Sequence, residues 1–142
     1  MSRLVSILVI DADFDQQLIL GYHLRMSLLQ AELVFSATLE ETLLYLYHCF
    51  AGRLAPPSLV QLSLPKAHQE SDWQLLEKLR VRHPRLPVVV IGADNDFDLI
   101  GQAYELGANS FIAKPLDLDG WERLCEQLKA YWFDVVTLPP AD

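Results

Sequence analysis

Glycine is scarce in this chain, with 6 among 142 residues, and none stands in Asp11-Ala12-Asp13-Phe14-Asp15, which follows the first strand-like run. A loop that cradles phosphate with backbone amides is usually glycine-rich at that turn. Three carboxylates there repel phosphate, so a flavin- or nucleotide-binding protein is disfavoured. Cysteine is scarcer still. Cys49 and Cys125 each lie in an apolar helical pattern without a CxxC partner or a metal-spaced companion, and both read as buried, reduced thiols. Basic residues number 11 against 19 acidic ones, for a net charge of −8, and they form no cluster. Affinity for nucleic acid comes largely from Lys and Arg displacing counterions, so direct DNA or RNA binding is not expected. The acidic balance speaks to solubility rather than to a particular partner. Long hydrophobic runs are absent too. Val88-Val89-Val90-Ile91 is far too short to span a bilayer, and Met1-Ser2-Arg3-Leu4-Val5 enters a strand without an export signal. A soluble, cytoplasmic protein with no membrane partner is the expectation.

What is present suits one folded domain. Hydrophobic residues make up 51% of the chain, and its length suffices for a proper core without staples. Short apolar runs alternate with segments of helical period, the signature of βαβ units and a mainly parallel sheet. The strand-like runs are Leu4 to Ile10, Glu32 to Phe35, Ser58 to Leu64, Pro87 to Ile91 and Asn109 to Ala113. Helix starts are marked by Asp13-x-x-Gln16, Thr38-x-x-Glu41, Ser71-x-x-Gln74 and Asp119-x-x-Glu122, each a capping side chain three residues before Glu or Gln. Trp121, Leu124, Leu128 and Tyr131 recur at three- and four-residue steps and form a core face. Gly107 is placed to close a helix in the left-handed conformation. After the last helix only Phe133 to Asp142 remains, so residues 1–133 read as the domain, 134–142 as a tail, and no output domain is expected. In open parallel sheets, ligands and chemistry gather at the carboxyl ends of the strands. That directs attention to Asp11 to Asp13, Gln61 to Pro65, Gly92 to Asp94, and Lys114-Pro115.

Three blocks at those positions resemble the receiver domains of bacterial response regulators. Ile7-Leu8-Val9-Ile10-Asp11-Ala12-Asp13 is similar to the family's first strand and acidic end. Gln61-Leu62-Ser63-Leu64-Pro65-Lys66 is similar to its phosphoacceptor segment, and Gly107-Ala108-Asn109-Ser110-Phe111-Ile112-Ala113-Lys114-Pro115 to its fifth strand. The tail Tyr131-Trp132-Phe133-Asp134-Val135-Val136-Thr137-Leu138-Pro139 resembles receivers partnered with phytochrome-type histidine kinases. The resemblance implies an α/β, flavodoxin-like, doubly wound sheet of five parallel strands in the order 2-1-3-4-5, with five helices. It also implies a chemistry. In the family an acidic pair and a strand-three aspartate hold magnesium, and that aspartate takes phosphate from a phosphohistidine. A hard dication needs anionic oxygens, and the mixed anhydride needs an oxygen nucleophile.

This sequence departs from that pattern at each working position. Gln61 matches the phosphoacceptor, and its carboxamide is neither charged nor a useful nucleophile. Ala12 replaces one acid of the pair, leaving Asp11 and Asp13 as weak magnesium candidates; no metal or other cofactor is expected. Asp13 also reads as a helix cap and Asp11 as a strand-end acid. Gly92 falls where the family carries the Thr or Ser that contacts the phosphoryl group. Phe111 matches the aromatic that changes rotamer on activation, although packing is the favoured role here. Lys114 is a full match, expected to pair with Asp11 or stay solvated. Pro115 follows it in a bond that is typically cis in the family. The loop from Lys66 to Asp72 is about three residues longer than the family's by alignment and lacks its glycine before Trp73; His68 within it reads as solvated.

The resulting expectation is a degenerate receiver of two-component phosphorelay signalling and not an enzyme. It would act without phosphorylation by binding a histidine kinase or another signalling protein. A homodimer through the fourth helix, fifth strand, fifth helix and tail is the accompanying possibility. The alternative is a conventional response regulator phosphorylated on Asp13 or Asp72.

Overall fold

The computed structural model describes residues 5–27, 31–65, 70–92 and 96–130. Strands and helices alternate through β1 (Val5–Ile10), α1 (Phe14–Ser27), β2 (Ala31–Ser36), α2 (Leu39–Phe50) and β3 (Leu59–Ser63). They continue through α3 (Glu70–Arg82), β4 (Val88–Gly92), α4 (Phe97–Glu105), β5 (Ser110–Ala113) and α5 (Leu118–Lys129). The strands form one sheet in the order β2-β1-β3-β4-β5, every pairing parallel, as the sequence predicts. Helices cover both faces, which explains why β3 and β4 are buried along their whole length and read as continuous rather than alternating apolar runs.

Side chains alternate across each strand, so the sheet feeds two cores. Leu8, Val60, Leu62 and Val90 meet α2, α3 and α4 through Leu46, Trp73, Leu76 and Ala103. Ile7, Val9, Leu59 and Ile91 meet α1 and α5 through Leu20, Leu24, Trp121 and Leu128. The predicted α5 face is thus in place for Trp121, Leu124 and Leu128; Tyr131 and the tail lie outside the described residues. Among the described residues no helix is long and apolar enough to cross a membrane.

Two of the four expected caps are found where the sequence puts them. Asp13 Oδ1 accepts from the backbone amides of Asp15 and Gln16, and Gln16 Nε2 donates to Asp13 Oδ2. Thr38 Oγ1 accepts from Glu41 N. The other two are corrected. α3 starts at Glu70, which places Ser71 inside its first turn, where Glu70 and Asp72 suit the positive end of the helix. α5 is capped by Asp117 accepting from Gly120 N at 2.7 Å, because Asp117 is extended and Asp119 already helical. Asp96 supplies a cap for α4 through Leu99 N at 3.0 Å.

Gly107 adopts φ 109°, and its amide and the next close α4 onto Tyr104 O and Ala103 O. Arg80 then clamps this turn, donating to Gly107 O, Asn109 Oδ1 and Pro84 O. The clamp ties the end of α3 to the entrance of β5.

Cys49 and Cys125 are both buried and free. Burial pushes the Cys125 thiol up to about 12, and burial likewise raises Cys49. Thiolate is the reactive species, so neither cysteine should react in the folded chain. Iodoacetamide at pH 8 is expected to leave both untouched in the native protein and to alkylate both in urea. Native-state labelling of either would contradict their placement.

Candidate functional site at the carboxyl edge of the sheet

Parallel pairing brings the ends of β1, β3, β4 and β5 to one edge. Val9, Gln61 and Val89 lie side by side across the three central strands, while Ser63 pairs with Ile91 and Gly92 with Ala113. Asp11 follows β1 directly, its amide donating to Ser36 O at 3.0 Å. Gln17 Nε2 in turn donates to Asp11 O at 2.7 Å, fixing the strand end to α1. The edge is therefore built by backbone pairing and one side-chain tie.

The polar groups at this edge are buried and incompletely paired. Asp11 is 4% exposed; its Oδ1 accepts from Asp13 N at 2.9 Å, whereas Oδ2 has no partner. Gln61 is 1% exposed and its Nε2 is unpaired, as is Ser63 Oγ. Gln61 and Ser63 share the α1/α5 side of the sheet with Leu59, by strand alternation. Burial raises the Asp11 carboxyl above its usual 3.8 despite opposing contributions from Asp13 N, Ser63 and Lys114. Ser63 thus lies near enough to favour the Asp11 carboxylate, although its hydroxyl meets no strict hydrogen-bond geometry. Lys114 is half-buried, its amide donates to Gly92 O at 2.7 Å, and its ammonium forms no ion pair among the described residues. Its effect on Asp11 is through-space attraction, and of the two expected arrangements, pairing with Asp11 or staying solvated, no contact pair is formed. Ser63 received no role in the sequence reading, although its position two residues past Gln61 puts it on the same face.

The remaining candidates fall into separate places. Ala12 is exposed and lines a cavity of about 360 Å³ with Thr38, Glu40, Ser63, Pro65 and Asp72. Asp13 is exposed and both its carboxylate oxygens are occupied at the start of α1, which supports its reading as a cap. The Lys114–Pro115 bond is trans, correcting the family-derived expectation of cis; trans is the intrinsically favoured form of an X-Pro bond. Lys66, His68, Ala93 and Asp94 lie outside the described residues.

A divalent ion of the kind receivers hold is poorly suited to these groups. A carboxamide, a methyl group and one carboxyl made less acidic by burial replace the anionic oxygens such an ion needs. Gln61 can offer at most a neutral carboxamide oxygen, a weaker ligand for a hard dication than a carboxylate. Among the described residues no cluster of three His, Cys, Asp or Glu could hold a metal.

Gly92 and Phe111 form one packed unit. A Cβ at Gly92 would meet Phe111 Cζ at 2.9 Å and Leu99 Cδ2 at 3.2 Å, so the ring occupies the space a side chain at 92 would fill. Phe111 packs on the α4 side of the core, and its amide donates to Tyr104 Oη at 3.0 Å. Packing, the role favoured from sequence, is thus what holds the ring inward.

Two predictions follow from this geometry. Gly92→Thr should cost about 1–3 kcal/mol through overpacking, and most of that cost should vanish in a Phe111→Ala background, as read from urea midpoints. An unchanged midpoint for Gly92→Thr alone would contradict the contact. For Asp11, a raised folded-state value means that its stabilising contribution is complete below 3.8 and is lost as pH rises through the folded value. Asp11→Asn should therefore be more stable than the natural chain at pH 7, with the gap closing toward pH 3.8; a gap that widens on acidification contradicts the burial argument.

Comparison with known proteins agrees with the geometry. No protein-family model matches the sequence. The DNA-binding transcriptional regulator NtrC of Escherichia coli is 36% identical over 58 residues, covering 41% of this chain and 12% of NtrC. The response regulator Rcp1 of Synechocystis is 29% identical over 86 residues, covering 58% of this chain and 56% of Rcp1. The chain thus spans a small part of NtrC and little over half of Rcp1 in these matches. The phosphorylated cyanobacterial phytochrome response regulator RcpA superposes with a TM-score of 0.85 over 97% of this chain and 100% of RcpA, at 22% identity. Strand order and the superposition on RcpA show the receiver fold, and in sequence the chain is similar to response regulators.

Proposed function

We propose that this receiver works in two-component signalling as a protein-interaction module that takes up no phosphate at residue 61. The observation that carries the reading is Gln61 itself, a neutral carboxamide fully buried in β3 where the family places its nucleophile. An amide oxygen lacks the charge to attack phosphorus and form a stable acyl phosphate. Two neighbours reinforce the loss. Ala12 supplies no metal ligand, and Gly92 has no hydroxyl with which to register a phosphoryl group, its space being filled by Phe111. The module comprises residues 1–133 with 134–142 as a tail, and it needs no cofactor.

Likeness to RcpA and Rcp1 supports a histidine kinase or another signalling protein as the partner. The conventional alternative, phosphorylation of Asp13 or Asp72, is weakened by position. Asp13 is committed to capping α1, and Asp72 sits in the first turn of α3 rather than at the end of β3. In-line attack needs the acid at the place where the phosphoryl donor is held.

Incubation with acetyl phosphate and magnesium, followed by intact mass, is expected to leave the chain unmodified. Gln61→Asp should remain poorly phosphorylated, since Ala12 and Gly92 are unchanged. A phosphorylated species of the natural chain overturns the reading, and peptide mapping to Asp13 or Asp72 would establish the conventional one.

A further inference from the structure

α1 is apolar on both sides. Its inner side buries Leu20 and Leu24, while on the outer side Phe14, Leu18, Tyr22 and Met26 recur every four residues at 68, 73, 61 and 63% exposure. Four-residue steps on a helix build a single continuous ridge. α1 also carries Asp15, Gln16, Gln17, His23 and Arg25, so the outer ridge is an exposed apolar stripe bordered by polar groups. Leu116 and Leu118 are also exposed, in the turn before α5 and at its first residue, and α5 packs against α1.

We propose that a second copy of this chain covers this ridge, the two α1 helices packing antiparallel about a two-fold axis. This goes beyond the receiver reading by naming a partner. A two-fold interface must be its own complement, and the ridge satisfies that condition. Reversal about its midpoint lays Phe14 against Met26 of the second copy and Leu18 against Tyr22. Each aromatic ring then meets a flexible aliphatic or thioether side chain, a favourable pairing in both cases.

Charge selects the antiparallel arrangement. The first end of the ridge carries Asp13 and Asp15, with Asp117 and Asp119 at the adjoining start of α5. The other end carries His23 and Arg25 on α1, while the last turn of α5 holds both Glu126 and Lys129 and adds no net charge. Antiparallel packing sets the acidic end of each copy over the basic end of the other and opposes the helix dipoles favourably; parallel packing would set acid on acid. The area is adequate. Four large side chains exposed by about two-thirds remove on the order of 400–500 Å² per copy, so both copies together approach the roughly 1,000 Å² that a specific interface needs. The α4 surface offers less. Phe97 is 83% exposed, but Tyr104 is 47% exposed and its hydroxyl is held by Phe111 N.

Light scattering of the full chain at concentrations up to about 100 µM, a range that detects dissociation constants near 1 µM, tests the proposal. The natural chain is expected to approach twice its 16.1 kDa mass. Leu18→Glu should stay at 16.1 kDa with unchanged circular dichroism and the urea midpoint of the natural chain diluted until it is monomeric, while Phe97→Glu should still dimerise. A monomeric natural chain overturns the proposal, as does a dimer that survives Leu18→Glu or is abolished by Phe97→Glu. If a chain shortened before Phe133 dimerises while the full chain does not, the tail covers the ridge, and the proposal again fails. The readout involves no phosphate, so failure here leaves the reading of Gln61 as it stands.

Discussion

The parallel register of β1, β3 and β4 is the constraint on which the rest depends. Because Val9, Gln61 and Val89 pair in line, the segments that follow them all emerge at one edge of the sheet. Asp11, Ser63, Gly92 and Lys114 meet there without needing any bond between their side chains. Helices on both faces then seal the strands, and burial decides the character of each edge group. Asp11 becomes a weaker acid, Gln61 is shut away from water, and Gly92 disappears beneath a ring.

The receiver-like frame does not depend on those edge groups. The contacts that hold the frame lie elsewhere: the Asp13, Thr38, Asp96 and Asp117 caps, the Arg80 clamp on the Gly107 turn, and two apolar cores. None of them involves a phosphoryl group or an ion. Among the described residues the edge, by contrast, contains three buried polar atoms without partners, on Asp11, Gln61 and Ser63. Buried polar atoms are ordinarily paired, and leaving one unpaired costs about 1–3 kcal/mol.

Much of this was legible in the sequence, because the physics involved is local. Apolar runs locate all five strands to within a residue or two, and Gly107 marks its turn because a positive φ favours glycine. Gln61 and Ala12 were singled out by position within blocks that resemble the family's, and Gly92 by its place at the end of the fourth strand-like run. Where two candidate caps lay close together, local pattern was insufficient: Asp117 and Asp119 both precede α5, and only backbone conformation separates them. The seating of Phe111 over Gly92 joins residues on different strands, so no periodicity reveals it. The unpaired Ser63 hydroxyl and the reach of Arg80 to Gly107 are likewise products of tertiary packing. The outer ridge of α1 was written in the sequence at four-residue steps, but its exposure appears only once α1 is docked by Leu20 and Leu24.

The central claim is that the edge keeps the place of a receiver site but cannot engage a phosphoryl group. Amide NMR spectra of the chain with and without magnesium and beryllofluoride, a mimic of the phosphoryl group on a carboxylate, test it most directly. The account predicts that the resonances of Asp11, Gln61, Gly92, Phe111 and Lys114 stay where they are. Saturable shifts at these residues would show a working phosphoryl site and contradict it.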